Sequence, residues 1–157
     1  MLGDKKSEGT YLTPPMLVTS SANLPVPNGV VRLFVFLIAA GGSGAAHSNA
    51  SPTANGGGQG AFGGVVFDWG KVADFIARNP SSISLSVAGQ TSGVVASSSA
   101  QFGNTGNNTE LSIGALKLRA KGGNGGGISS TPTPGGDLLF VDAGGTPNTI
   151  RTDEALH

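Results

Sequence analysis

Cysteine is absent from the whole of the 157-residue chain, which excludes disulfides, thiolate metal sites and a cysteine nucleophile. Charge is scarce and balanced. Nine Lys and Arg face nine Asp and Glu, for a formal net charge of zero. A neutral chain exerts no general attraction on nucleic acid or an anionic membrane, so neither is expected as a partner. Only 6% of residues are aromatic, with one Trp and one Tyr, which leaves few rings for stacking against sugars. No apolar run reaches the roughly 20 residues of a membrane span; the longest, 30–40, is interrupted by Arg32. The stretch from Met1 to Glu8 is polar and lacks the apolar centre of a secretory signal. The expectation is a chain in the cytoplasm, or one assembled there into something later released. The two histidines, His47 and His157, stand without spaced carboxylates, so neither a metal nor any other cofactor is expected.

Glycine is abundant instead, at 27 residues, together with 9 prolines. Each glycine that is held in place costs conformational entropy. A chain this rich in glycine must recover that cost through close packing or association, and a homo-oligomer is expected. The sequence is organised around Val30-Val31-Arg32-Leu33-Phe34-Val35-Phe36-Leu37-Ile38-Ala39-Ala40. Val31, Leu33, Val35 and Leu37 fall on one face of a strand and Phe34, Phe36 and Ile38 on the other. Both sets are apolar, the pattern of a strand covered on both sides.

Before it, Thr10 to Thr19 suggests an edge strand broken by Pro14-Pro15, and Asn28-Gly29 supplies a tight turn into the central strand. After it, the loop from Gly41 to Gly60 has almost nothing apolar of any size. Residues 61–69 form a second strand, and 70–78 have helical spacing with Asn79-Pro80 as a stop. Ser82 to Val87 alternates serine with apolar residues and reads as a half-buried strand. A loop over 89–99 follows, and Gln101-Phe102-Gly103 starts a hairpin around 104–108. The inward set changes parity between Ile113 and Leu116, which demands a bulge or tight turn at Gly114-Ala115. A glycine-rich loop over 122–136 leads to a last strand from Asp137 to Ala143. Short strands separated by glycine turns predict an all-β fold, a glycine-rich antiparallel β-sandwich of jelly-roll type with one short helix. The organisation is an extended arm over 1–20, the sandwich domain over 21–143 and a tail over 144–157.

The order of Val26-Pro27-Asn28-Gly29-Val30, a hydrophobic strand ending in glycines from Leu33 to Gly44, and Gly57-Gly58-Gln59-Gly60-Ala61-Phe62-Gly63-Gly64 carries a resemblance. It continues through Ile83-Ser84-Leu85-Ser86-Val87-Ala88-Gly89, Gln101-Phe102-Gly103 and Leu118-Arg119-Ala120-Lys121-Gly122-Gly123-Asn124-Gly125-Gly126. Over about residues 22–127 the chain resembles the glycine-rich domain of bacteriophage tail-fibre and other virion proteins. The resemblance implies a structural or adsorption component of a virus particle, a homo-oligomer expected as a trimer, with other virion proteins as partners. It implies neither catalytic residues nor cofactors.

Candidate residues follow from both lines. Arg32, Phe34, Phe36, Ile38, Tyr11 and Leu12 are the expected interface. Arg32 inside the central strand needs a carboxylate or carbonyl partner if buried, with Asp68 and Asp142 as candidates. Gly57, Gln59, Asn104 and Asn124 mark loops that would meet a host-surface glycan if the chain were instead a carbohydrate-binding adhesin. Gly58-Gln59-Gly60-Ala61-Phe62-Gly63 fits G-x-G-x-x-G but precedes a strand, so packing glycines are the better reading. Ser43 has no neighbouring base in the sequence, and no carboxylate pair is spaced for glycoside cleavage. Lys117, Arg119 and Lys121 share one strand face, read as solvated or paired with carboxylates before any anionic ligand.

Overall fold

The computed structural model describes residues 15–26, 29–47, 54–69, 82–97, 99–114, 116–128, 132–141 and 147–149. Tyr11, Leu12, Asp142, His157 and the helix expected over 70–78 lie outside them. The strands are β1 (Ala22–Pro25), β2 (Arg32–Ile38), β3 (Phe62–Asp68), β4 (Ser82–Ser86), β5 (Thr109–Ile113), β6 (Leu116–Ala120), β7 (Leu138–Val141) and β8 (Pro147–Thr149). The expected all-β, antiparallel fold is the one observed. A six-stranded sheet runs in the order β1-β4-β5-β6-β7-β8, and β2 and β3 form a separate two-stranded sheet.

The two sheets form layers around one core. Alternation places Leu111 and Ile113 of β5 and Leu116, Leu118 and Ala120 of β6 inward, against Val35 and Leu37 of β2 and Phe67 of β3. Ile83, Ala39, Ala61 and Trp69 complete the cluster. The parity change in the sequence is a tight turn: Ile113 pairs with Leu116, and Gly114 between them has φ 59°. Gly29, with φ 77°, makes the turn into β2. Both conformations cost a residue with a Cβ about 1–2 kcal/mol. Residues 15–19 carry no strand. Two elements depart from the expected boundaries. Pro25 ends an edge strand in what read as an extended approach, and β8 pairs with β7 inside what read as a tail.

The largest correction concerns the glycine-rich stretches. Read as loops, 41–60 and 122–136 instead contribute segments 39–46, 54–61, 121–128 and 132–137, which join segment 101–108 in a hydrogen-bonded bundle. Each continues from a strand at the same end of the sandwich: 39–46 from β2, 54–61 into β3, 101–108 into β5, 121–128 from β6 and 132–137 into β7. Gln101 makes only an isolated bridge with Ala46, so no hairpin strand begins there.

The backbone bonding repeats every three residues. Ala39, Gly42 and Ala45 donate to Ala61, Gly58 and Asn55; Ala40, Ser43 and Ala46 donate to Asn107, Asn104 and Gln101. Asn55, Gly58 and Ala61 donate to Gly127, Asn124 and Lys121, while Gly123 and Gly126 donate to Ala40 and Ser43. Three residues per turn is the repeat of a polyproline II helix, which has no internal hydrogen bonds. Successive amides then point about 120° apart, so one segment bonds neighbours on three sides and a bundle forms where a strand would form a sheet. Stacked sheets stand about 10 Å apart because side chains fill the gap. Beyond residue 39 the side chains shrink, and the two layers close to main-chain hydrogen-bond distance.

That closure explains the glycines. Among the described glycines only Gly29 and Gly114 lie in the left-handed region, so backbone freedom is not why the others are there. A methyl on Gly58 would overlap the carbonyl of Pro134, and one on Gly123 the carbonyl of Gly58.

Candidate functional site

The side chains that leave the core on β2 and β3 gather on one outward face. Register pairs Arg32 with Asp68, Phe34 with Val66, Phe36 with Gly64 and Ile38 with Phe62. Period two sends all eight to the same side, away from Val35, Leu37 and Phe67. Phe34, Phe36, Ile38, Phe62 and Val66 are 68%, 53%, 64%, 62% and 49% exposed. Among the described residues the central strand is therefore covered on one side only, contrary to its two-sided apolar pattern, because no described element packs on the outward face of the two-stranded sheet. Arg32 is exposed as well, at the end of the strand rather than within the core, and so needs no buried partner. Its cross-strand neighbour is Asp68, also exposed.

Four of the six expected interface residues, Arg32, Phe34, Phe36 and Ile38, thus share one face. Phe62 and Val66, which are not among the expected residues, extend the exposed apolar face. Their signal was present in the parity of β3, but only the register shows that they stand beside Ile38 and Phe34. Gly64 sits in the middle, where a Cβ would lie 3.2 Å from both Phe34 Cζ and Phe36 Cδ2. The two rings lean over the glycine and take the space that a side chain would fill there.

The four glycan-loop candidates are spread through the bundle. A methyl on Gly57 would overlap the carbonyl of Gly42, so that position is packed rather than presented. The Asn124 carbonyl accepts from Gly58 N–H at 2.8 Å, and that of Gln59 accepts from Gly136 N–H at 2.9 Å. Asn104 donates its backbone N–H to Ser43 Oγ at 2.7 Å and its Nδ2 to the Ser92 carbonyl at 3.0 Å. Ser43 Oγ is thus a link within the bundle. The amides of Gly58 and Ala61 are likewise committed to Asn124 and Lys121, so Gly58 to Gly63 works as packing glycine. His47 is half-buried at the outer end of segment 39–46.

The basic strand face has its counter-charge within the chain. Glu110 on β5 accepts from Arg119 Nη2 at 2.6 Å and Nε at 2.8 Å, and pairs with Lys117 Nζ at 3.1 Å. Arg119 stands directly across from Glu110. Burial pushes the Glu110 carboxyl up, but the hydrogen bonds and positive charges of Arg119 and Lys117 outweigh it and hold it below its ordinary value. Lys117 and Arg119 are therefore spent on a structural carboxylate, and Lys121 is exposed.

No protein-family model matches the chain, and neither a curated protein nor a solved structure shows significant similarity to it.

Proposed function

We propose that this chain is a non-enzymatic structural protein of a bacteriophage virion, a tail-fibre, spike or decoration component that acts by self-association and by docking on other virion proteins. It would be assembled in the host cytoplasm and reside in the particle. The observation that carries the reading is the outward apolar face of β2 and β3, a surface suited to another protein and unsuited to water. The three-residue bundle supports it: the glycine stretches that resemble the phage domain form a stiff body held by main chain on several sides, which suits a particle component working without disulfides.

The test is composition. Mass spectrometry of density-purified phage particles from a lysate of the producing culture should find the chain at a fixed ratio to the other virion proteins. Its absence from washed particles would overturn the reading.

A second reading, a carbohydrate-binding adhesin, has one observation in its favour. Phe102 on segment 101–108 is 66% exposed, two residues from Asn104, and an exposed ring can stack on a sugar. A glycan array in which binding disappears with Phe102→Ala would decide for it.

A further inference from the structure

The outward face carries a pattern that is its own complement. Along the strands it reads Arg32 and Asp68, then Phe34 and Val66, Phe36 and Gly64, and Ile38 and Phe62. We propose that this face packs on the same face of a second copy, about a two-fold axis that runs along the strands between β2 and β3. The proposal rests on the self-association part of the reading above and not on the virus particle.

Area argues for an occupant. Five apolar side chains, half to two-thirds exposed, amount to roughly 500 Å² given the size of such side chains. That is near the upper limit of what a monomer leaves open. Two such faces together remove about 1,000 Å² from water, the threshold of a specific interface.

Charge argues for this occupant and this axis. A two-fold along the strands lays β2 of one copy over β3 of the other without reversing the ends. Arg32 then meets the partner's Asp68, and Asp68 meets the partner's Arg32, so both charges are neutralised twice at one end. Phe34 meets the partner's Val66 and Ile38 meets the partner's Phe62. At the centre the rings leaning over Gly64 oppose their counterparts, and flat rings associate by offset stacking. A two-fold across the strands would instead press the charged end onto Ile38 and Phe62, leaving ions against hydrocarbon at high cost. Aligned face-to-face sheets are also a standard packing of β layers.

Light scattering on the full chain should give about twice the 15.5 kDa of one chain, and Phe36→Asp or the milder Phe34→Ser should halve that mass with an unchanged circular dichroism spectrum. Arg32 and Asp68 are exposed at strand ends, so R32D and D68R should fold; each alone should run at the mass of one chain. Mixed in equal amounts they should return to two, because each mixed pair regains both opposite-charge contacts across the axis. A one-chain or three-chain mass for the unaltered protein would overturn the proposal. So would a mixture of R32D and D68R that stays at one chain. A one-chain protein that is nonetheless found in particles would overturn this inference and leave the virion reading standing; a two-chain protein absent from particles would do the reverse.

Discussion

Gly58 donates its backbone N–H to the carbonyl of Asn124 at 2.8 Å, joining the segment that runs into β3 to the one that leaves β6, and so the two layers, through main chain alone. Such bonds require that nothing stand between the segments, and at Gly58 even a methyl would overlap the Pro134 carbonyl.

Substitution of these glycines should therefore separate into two classes. Gly58→Ala and Gly123→Ala force main chain apart and should cost about 1–3 kcal/mol or more, as overpacking does. Gly89→Ala and Gly93→Ala meet nothing within 4 Å and have no positive φ. They should be neutral or stabilise by about 0.4–1 kcal/mol through the unfolded chain. Urea midpoints at constant slope measure both. Equal effects in the two classes would mean that the bundle is not close-packed.

Thr109 should be sensitive for a different reason. It is buried where β5 meets the bundle; its Oγ1 donates to the Ile38 carbonyl at 2.7 Å and accepts from Ala88 N–H at 3.0 Å. Thr109→Val keeps the shape but leaves both groups unpaired, at about 1–3 kcal/mol. Thr109→Ser keeps the hydroxyl and should lose less than half as much in the same unfolding measurement.

Glu110 should give part of the acid sensitivity. Its folded pKa lies below the ordinary 4.5, so the unfolded chain takes up its proton first as pH falls. The stabilisation is thus fully present above about pH 5 and is lost as pH falls through the folded value. Glu110→Gln should flatten the dependence of melting temperature on pH between about 5 and 3 while lowering stability at pH 7. Identical pH profiles for the two proteins would show that the Arg119 and Lys117 contacts carry no stabilisation.

Much of the fold was legible in local pattern. The serine alternation of residues 82–86 reports a strand with one wet face, and the changed parity between Ile113 and Leu116 reports the turn at Gly114. The exposed apolar face was legible in part, since Phe34, Phe36 and Ile38 are too apolar for an ordinary solvent face. The errors share a cause. A strand with two apolar faces looks alike whether another layer or another molecule covers the second one. A glycine-rich segment looks like a loop whether or not its amides have partners.

By itself the sequence determined what depends on near neighbours: period-two strands, turns at Gly29 and Gly114, an all-β fold and the absence of cysteine chemistry. Tertiary structure decided what depends on residues far along the chain. It brings Gly58 to Asn124 and Ala40 to Asn107, and it stands Glu110 beside Arg119 and Lys117. It also leaves one face of β2 and β3 uncovered among the described residues, so that Phe34 and Phe36 are exposed. The physical reason is that a glycine amide has no side chain to announce its partner, and a strand's outer face is defined only by what the other sheet leaves uncovered.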